Sequence, residues 1–208
     1  RQLAQARTEL AKLPDNPYKQ PKQRELDEVL GGARNMRDVP ADERNGAGFR
    51  QIDLATIEQQ LGRLPRGLVR VAWRCADGHP GVVVTEPRLP DGTPFPTLYY
   101  LTCPLAVAGA STLEAQGVMT EMTARLADDE PLAEQYRQAH ESYLAERRAL
   151  GVVPEIDHVS AGGMPTRVKC LHVLVAHALA AGPGVNPLGD EAVAKLRDFP
   201  FGQCLGER

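Results

Sequence analysis

The chain has 208 residues, of which 42% are hydrophobic and 25% charged, and its formal net charge at pH 7 is −3. This length can bury a real core and fits one compact domain plus extensions. The slight acidity excludes a global basic field for nucleic acid, and no run approaches the roughly 18 to 20 apolar residues of a membrane span. Because the start also lacks the apolar segment of a signal peptide, we expect a cytoplasmic protein with neither a nucleic-acid nor a membrane partner.

The first 50 residues differ in composition from the rest. They contain ten Lys and Arg against eight Asp and Glu, and few bulky apolar residues. Such a segment buries too little apolar surface to offset the entropy lost on ordering. We therefore predict a flexible polar arm over residues 1–50, which can order on a protein partner, and a single globular domain over residues 51–208.

The globular part begins with one amphipathic helix and three short strands. In "DLATIEQQLGRLPRG", Asp53 fits an N-cap and Leu54, Ile57 and Leu61 recur at helical spacing. The runs "LVRVAWRC", "PGVVVTEP" and "PTLYYLTC" are rich in β-branched and aromatic residues, and "ADGH" gives a hairpin signal between the first two. These patterns predict a small antiparallel sheet of about three strands.

Helices dominate after Pro104. The segments "PLAVAGASTLEAQ" and "VMTEMTARLADD" predict two helices separated near Gly117, and "PLAEQYRQAHESYLAERRAL" predicts a third with Pro131 in its first turn. Strands grouped early and helices grouped late indicate an α+β fold, with the small sheet packed against four to six helices.

Residues 158–190 concentrate glycines and polar residues around an apolar helix. They read "HVSAGGMPTRVKCLHVLVAHALAAGPGVNPLGD". Pro165 fits the first turn of a helix that continues to about Ala181, where Gly182 and Pro183 end it. The "SAGG" before this helix leaves backbone N–H groups free at an N-terminus, where an anion can bind.

Our leading hypothesis is that this stretch binds or transforms a small anion, such as a phosphate or a carboxylate. Arg167 and Lys169 would add positive charge within the first helical turn. Cys170 and His158 are the candidate reactive groups. The residues predicted to contact the ligand are Gly162, Gly163, Arg167, Lys169, His172, Asn186 and Asp190. The alternative is that the glycines only allow a tight turn while the two cations face solvent.

Helical geometry limits what Cys170 can do. On an unbroken helix, Cys170 and His172 point to nearly opposite sides, and Cys170 and His177 share a face but lie about 10 Å apart along the axis. The spacing along the sequence therefore does not show that Cys170 and a histidine act as a catalytic pair. Since Cys170 lies among apolar residues, a buried structural thiol is the alternative to a nucleophile.

The four cysteines offer a second hypothesis, a metal site. Cys75 and Cys103 each end a predicted strand, so their thiols can face one pocket if the strands end on the same side. Zinc takes four N or S ligands, and the predicted set is Cys75, Cys103 and Cys170 with His158 or Cys204; the same thiols can hold an iron–sulfur cluster. Because no C-x-x-C motif occurs, unpaired structural thiols are the alternative.

Several blocks resemble a known family. The stretches "IEQQLGRLPRG", "PRLPDGTPFPTLYYLTCP", "LEAQGVMTEM" and "SAGGMPTRVKCLHVLVAHALAAGPGVNPLGDEA" are similar to the actinobacterial proteins grouped as domain of unknown function 501, over about residues 52–196. The resemblance implies no established activity. Many members of that family have Cys-Pro-Cys-Gly where this chain has "CADG", so Asp77 stands in place of a second cysteine.

Three classes of function remain open from the sequence. They are an anion cleft over residues 158–190, a zinc or iron–sulfur domain, and a non-catalytic module that binds a partner through residues 1–50. Neither the cofactor nor the existence of a catalysed reaction follows from the sequence alone.

Overall fold

The fold is that of a computed structural model, which describes residues 51–200 and 202–205. It is α+β, with one three-stranded antiparallel sheet and six α-helices, as predicted. The predicted arm over residues 1–50 lies outside the described residues. The elements are α1 Gln51–Leu61, β1 Leu68–Arg74, β2 Pro80–Thr85, β3 Tyr99–Leu101, α2 Pro104–Ala115, α3 Val118–Asp128, α4 Glu130–Leu150, α5 Leu171–Ala181 and α6 Pro187–Arg197, with 3₁₀ turns at Pro154–Ile156 and Gly202–Leu205.

The sheet has the order β1-β2-β3, with antiparallel pairing throughout. The predicted hairpin between β1 and β2 is confirmed. Gly78, at φ 85°, turns the chain in the left-handed region that favours glycine. The hairpin closes with the Cys75 N–H donating to the His79 carbonyl at 3.0 Å. It therefore holds residues 75 and 79 opposite each other at one end of the sheet.

The central strand β2 is buried on both faces. Val82 and Val84 belong to the main hydrophobic core, which the helices α2 to α6 share. Val83, between them in the chain, packs instead with Ile57 of α1 in a second, smaller cluster. Because side chains alternate along a strand, α1 must cover one face of the sheet and the other helices the opposite face.

Asp53 has a different role from the predicted one. It lies inside α1 rather than at its N-cap and is fully buried. Both carboxylate oxygens accept hydrogen bonds of 2.8 Å from the guanidinium of Arg74 on β1. A buried carboxylate needs such a partner, so this ion pair fixes α1 on the sheet.

The three helices predicted after Pro104 are confirmed. Gly117, at φ 85°, separates α2 from α3. Asp129 caps α4, because its carboxylate accepts a hydrogen bond of 3.0 Å from the Leu132 N–H. The ring of Tyr143 reaches from α4 into the main core.

Helix α5 begins later than predicted, at Leu171 rather than near Pro165. Gly162 and Gly163 have φ values of 75° and 93°, and their carbonyls accept hydrogen bonds from the N–H groups of Lys169 and Arg167 at 2.7 and 3.1 Å. These bonds fold the segment into a compact loop instead of a first helical turn. The predicted helix start was wrong because the two glycines adopt left-handed φ values and turn the chain before the helix begins. The helical spacing of the apolar residues does not indicate such turns.

The segment "GPGVNPLGD" leads into helix α6, which was not predicted from the sequence. Asn186 caps this helix by accepting a hydrogen bond of 3.0 Å from the Gly189 N–H, and Pro187 occupies its first turn. This Asn-Pro pair is a standard helix start signal. Among the described residues, no helix has both the length and the apolarity needed to cross a membrane.

Candidate functional site

Three of the four cysteines meet at one end of the sheet. Cys75 follows β1, Cys103 lies between β3 and α2, and Cys204 lies in the 3₁₀ turn Gly202–Leu205. The Sγ atoms of Cys103 and Cys204 are 3.9 Å apart, and those of Cys75 and Cys204 lie within 4.8 Å. Cys75 and Cys103 are buried and Cys204 is half-buried. Cys204 is thus the thiol that the other two share.

The β1–β2 hairpin adds two further ligand types to these thiols. The His79 Nδ1 lies 3.7 Å from the Cys75 Sγ. A carboxylate oxygen of Asp77, in the turn, lies within 4.8 Å of the sulfurs of both Cys75 and Cys204. We define the thiol cluster as Cys75, Asp77, His79, Cys103 and Cys204.

The contacts among the thiols shift their ionisation. Hydrogen bonding with Cys204 lowers the pKa of Cys75 to about 4 and that of Cys103 to about 7, in both cases against the effect of burial. The pKa of Cys204 is raised, because its thiol hydrogen-bonds with Cys103 and Cys75, and burial and the negative charges of those two sulfurs add to the effect. The hydrogen bond with Cys75 raises the pKa of His79. These shifts favour an ionised Cys75 thiolate next to His79.

Backbone hydrogen bonds place the cysteines from distant segments. The Ala76 N–H donates to the Cys204 carbonyl at 2.9 Å, which attaches the C-terminal turn to the hairpin. The Cys103 N–H donates to the Gly81 carbonyl at 3.2 Å, which attaches the end of β3 to β2. A Cβ at Gly81 would clash with the ring of Trp73, so a larger residue there would require that ring to move.

The structure brings together part of the predicted metal set. Cys75 and Cys103 both lie near Cys204, the alternative fourth ligand, and binding of a metal by these thiols stays a prediction. Cys170 lies in a different group of side chains, and His158 is exposed on the surface and belongs to neither group. His79 was not predicted as a site residue. Pairing residues across the predicted hairpin would have found it, since the turn places positions 75 and 79 opposite each other.

Cys170 lies in a second group, where α2 meets the start of α5. Its Sγ is 3.8 Å from the His172 Nδ1, and this nitrogen is 3.1 Å from the Glu114 Oε1. The His172 Nε2 lies 3.2 Å from the hydroxyl of Ser111. Hydrogen bonding to Cys170 and, after the opposing effect of burial, to Glu114 raises the pKa of His172 to about 9. We call Ser111, Glu114, Cys170 and His172 the α2–α5 cluster.

The expectation that Cys170 and His172 point apart was wrong. Cys170 is the N-cap residue of α5, with φ −157° and ψ 112°, so it lies outside the helix. Helical spacing therefore does not apply to the pair, and their side chains meet. Glu114 and Ser111 were missed because they come from α2, some 60 residues earlier in the chain, and no local pattern connects them to α5.

The helix N-terminus that was predicted to bind an anion has a partner within the chain. The N–H of Leu171, at the start of α5, donates to the Glu114 carboxylate at 2.7 Å, so an internal anion already occupies that helix N-terminus. Arg167 and Lys169 are exposed and precede the helix. Anion binding by these residues stays a prediction, and loss of phosphate binding in Arg167→Ala is its test.

Asn186 and Asp190 act on their own segment. Asn186 is fully buried, and its Nδ2 lies 3.2 Å from the Nδ1 of His177, which is also fully buried. Asp190 accepts a hydrogen bond of 2.7 Å from the Gly184 N–H. It also lines a groove of about 460 Å³ together with Trp73, next to the thiol cluster.

Comparison with known proteins identifies relatives of this chain by sequence alone. The sequence profile of a family described as "Protein of unknown function (DUF501)" matches residues 71–194, more than half of the chain. This match includes Cys75, Cys103 and the α2–α5 cluster, and it ends before Cys204. No curated protein and no solved structure matches the chain.

Proposed function

Because the chain belongs to the DUF501 family, whose description assigns no activity, we propose a function from geometry alone: a zinc-binding domain. The metal is held by Cys75, Cys103 and Cys204, with His79 or Asp77 as the fourth ligand. The observation that carries this proposal is the convergence of three thiols from three distant segments of the chain.

The Cys103–Cys204 contact has the spacing of two ligands of one small metal ion, and Cys204 also belongs to a group with Cys75 and Asp77 whose ligand atoms all lie within 4.8 Å of one another. Zinc binds thiolate sulfur at about 2.3 Å in tetrahedral geometry, which places two ligand sulfurs about 3.8 Å apart. The Sγ atoms of Cys103 and Cys204 are 3.9 Å apart. Hydrogen-bonded thiols can also approach this closely, but three of them cannot all ionise unless a cation balances their charge. Zinc provides that charge.

His79 and Asp77 compete for the fourth position. The His79 Nδ1 lies beside Cys75, whereas the carboxylate of Asp77 reaches both Cys75 and Cys204. Histidine and carboxylate both bind zinc, so position 77 can supply a ligand here without a thiol.

Four protein ligands leave no coordination position for a substrate, which is typical of structural zinc. This ion would join the β1–β2 hairpin, the junction of β3 and α2, and the C-terminal turn. Leu205, in the same turn as Cys204, lines the groove beside Trp73. We therefore expect zinc to stabilise the fold and to order one wall of that groove.

An iron–sulfur centre fits the thiol cluster less well than a zinc ion does. Such clusters normally take four cysteine thiolates. The described residues contain four cysteines, and Cys170 belongs to the α2–α5 cluster, which leaves three thiols here.

Elemental analysis and thermal unfolding of the full chain test the proposal. We expect the wild-type chain to contain zinc and to lose thermal stability when a strong chelator removes it, because metal binding is coupled to folding. The variant Cys204→Ser should lack this zinc, and chelation should then change its melting temperature far less. His158→Gln is the control, since it changes an exposed side chain outside both the thiol cluster and the α2–α5 cluster and should leave the zinc content and the chelation effect intact.

Two results would contradict the proposal. One is equal zinc content and equal response to chelation in the wild-type chain and in Cys204→Ser. The other is stoichiometric iron with visible sulfide-to-iron absorption, which would show a cluster in place of zinc.

A further inference from the structure

We propose that Glu114, Cys170 and His172 form a second divalent-metal site, open to solvent, at the junction of α2 and α5. It differs from the proposed structural zinc in location and ligand types. The ion would be zinc or a similar transition metal, because thiolate and imidazole ligands disfavour magnesium and calcium.

The ligand atoms are already arranged for one ion. The Glu114 carboxylate, the Cys170 Sγ and the His172 Nδ1 all lie within 4.8 Å of one another. The Nδ1 is 3.1 Å from the Glu114 Oε1 and 3.8 Å from the Cys170 Sγ. Zinc bonds of about 2.0 Å to N or O and about 2.3 Å to S give ligand separations of about 3.2 to 3.6 Å in a tetrahedron. Only small side-chain shifts are needed to close the site.

The outer contacts also fit metal binding. A histidine that binds metal through one nitrogen usually donates its other N–H to a neighbouring oxygen, which orients the ring. The Nε2 of His172 is 3.2 Å from the Ser111 hydroxyl, which can accept a hydrogen bond from the Nε2–H group. The Glu114 Oε1 accepts from the Leu171 N–H at 2.7 Å, which fixes the carboxylate. Both ligands are therefore held before any ion binds.

Each of the three ligands of this site is partly exposed. The side chains of Glu114 and His172 are 23% and 27% exposed, and Cys170 is half-buried. Three protein ligands on an accessible surface leave a coordination position for water or an added anion, as in catalytic zinc sites. An anion would then bind through the metal rather than through the helix N-terminus, which Glu114 occupies.

Cobalt(II) titration of the metal-free full chain tests the second site, since cobalt bound to thiolate absorbs strongly. We expect the wild-type chain to bind two equivalents. His172→Gln and Cys170→Ser should each lose one equivalent. Ser111→Ala should keep that equivalent with affinity weakened about 10- to 100-fold, because it removes only an outer contact. His158→Gln, which changes an exposed histidine of neither cluster, is the matched control and should bind as wild type.

The double variant Cys75→Ser/Cys204→Ser separates this inference from the structural zinc site. It should still bind one equivalent, and adding His172→Gln should abolish that binding. If the thiol cluster binds no metal, the wild-type chain should bind one equivalent of cobalt. Only substitutions in the α2–α5 cluster should then remove that equivalent. Glu114→Gln, which can keep the bond from the Leu171 N–H, provides a variant for which loss of the fold is not expected. Unchanged cobalt stoichiometry and spectra in His172→Gln, Cys170→Ser and Glu114→Gln would overturn the inference.

Discussion

The Sγ atoms of Cys103 and Cys204 lie 3.9 Å apart, although 101 residues separate them in the chain. This contact brings the C-terminal turn to the end of the sheet. The loop that it closes contains helices α2 to α6. A metal bridge or a covalent bond at this point would therefore restrict most of the helical part of the domain.

Oxidation of the metal-free chain should link these two cysteines. The oxidant diamide removes two hydrogens from a pair of thiols and is itself reduced to the hydrazine. We expect a disulfide between Cys103 and Cys204, identified by peptide mass mapping, because these sulfurs are in contact. Zinc should protect the pair by occupying both sulfurs. Equal rates of oxidation with and without zinc would count against metal binding by these thiols.

Gly202→Ala should weaken metal binding at the thiol cluster. A Cβ at residue 202 would lie 2.0 Å from the carbonyl oxygen of Arg197, so the turn that carries Cys204 must move. We expect zinc affinity to fall roughly tenfold or more, which is typical when the support of a ligand is lost. Competition with a chromophoric chelator measures this change.

Gly151→Ala is the matched control for that variant. Its added Cβ would meet only the Pro87 Cγ, at 3.8 Å, which is an ordinary van der Waals contact. Its zinc affinity should equal that of the wild-type chain. Similar weakening in both variants would show that the effect does not come from displacing Cys204.

His177 should make the domain less stable at acidic pH. Burial between the rings of Tyr99 and Tyr143 lowers the pKa of His177 from its usual value near 6.5 to about 4. The unfolded chain then binds more protons than the folded chain between these two values. Stability is fully present above pH 6.5 and falls by about 3 kcal/mol as the pH drops to 4.

Urea unfolding at a series of pH values measures this contribution. His177→Gln, which retains polar groups but does not titrate, should have a flatter stability profile between pH 6.5 and 4. His158→Gln removes an exposed histidine and should keep the wild-type slope. The assignment to His177 fails if the Gln variant at residue 177 shows the full wild-type slope.

Removing Arg74 should destabilise the contact between α1 and the sheet. Arg74→Met leaves the fully buried carboxylate of Asp53 without its two charged hydrogen bonds. We expect a loss of about 3 kcal/mol in the free energy of unfolding, which is typical of a broken buried ion pair. In Asp53→Asn/Arg74→Met the stranded charge is gone, so much of that loss should be recovered. The prediction is contradicted if the double variant loses as much free energy of unfolding as Asp53→Asn and Arg74→Met lose together.

The sequence by itself determined the element types and most of their boundaries. The alternation in β2, the Asp-Gly turn before His79, and the break at Gly117 are local signals, and each acts within a few residues. Because these signals are local, the sequence also predicted the α+β class correctly. Their locality also explains the error at α5, where the glycine loop is fixed by contacts beyond one helical turn.

Only the tertiary structure decided which reactive side chains meet. Cys75, Cys103 and Cys204 converge because strand pairing and the C-terminal turn bring distant segments to one end of the sheet. Cys170 instead meets Glu114, since it precedes α5 and faces α2. Local propensity carries no information about such contacts, because they depend on how whole elements pack against one another.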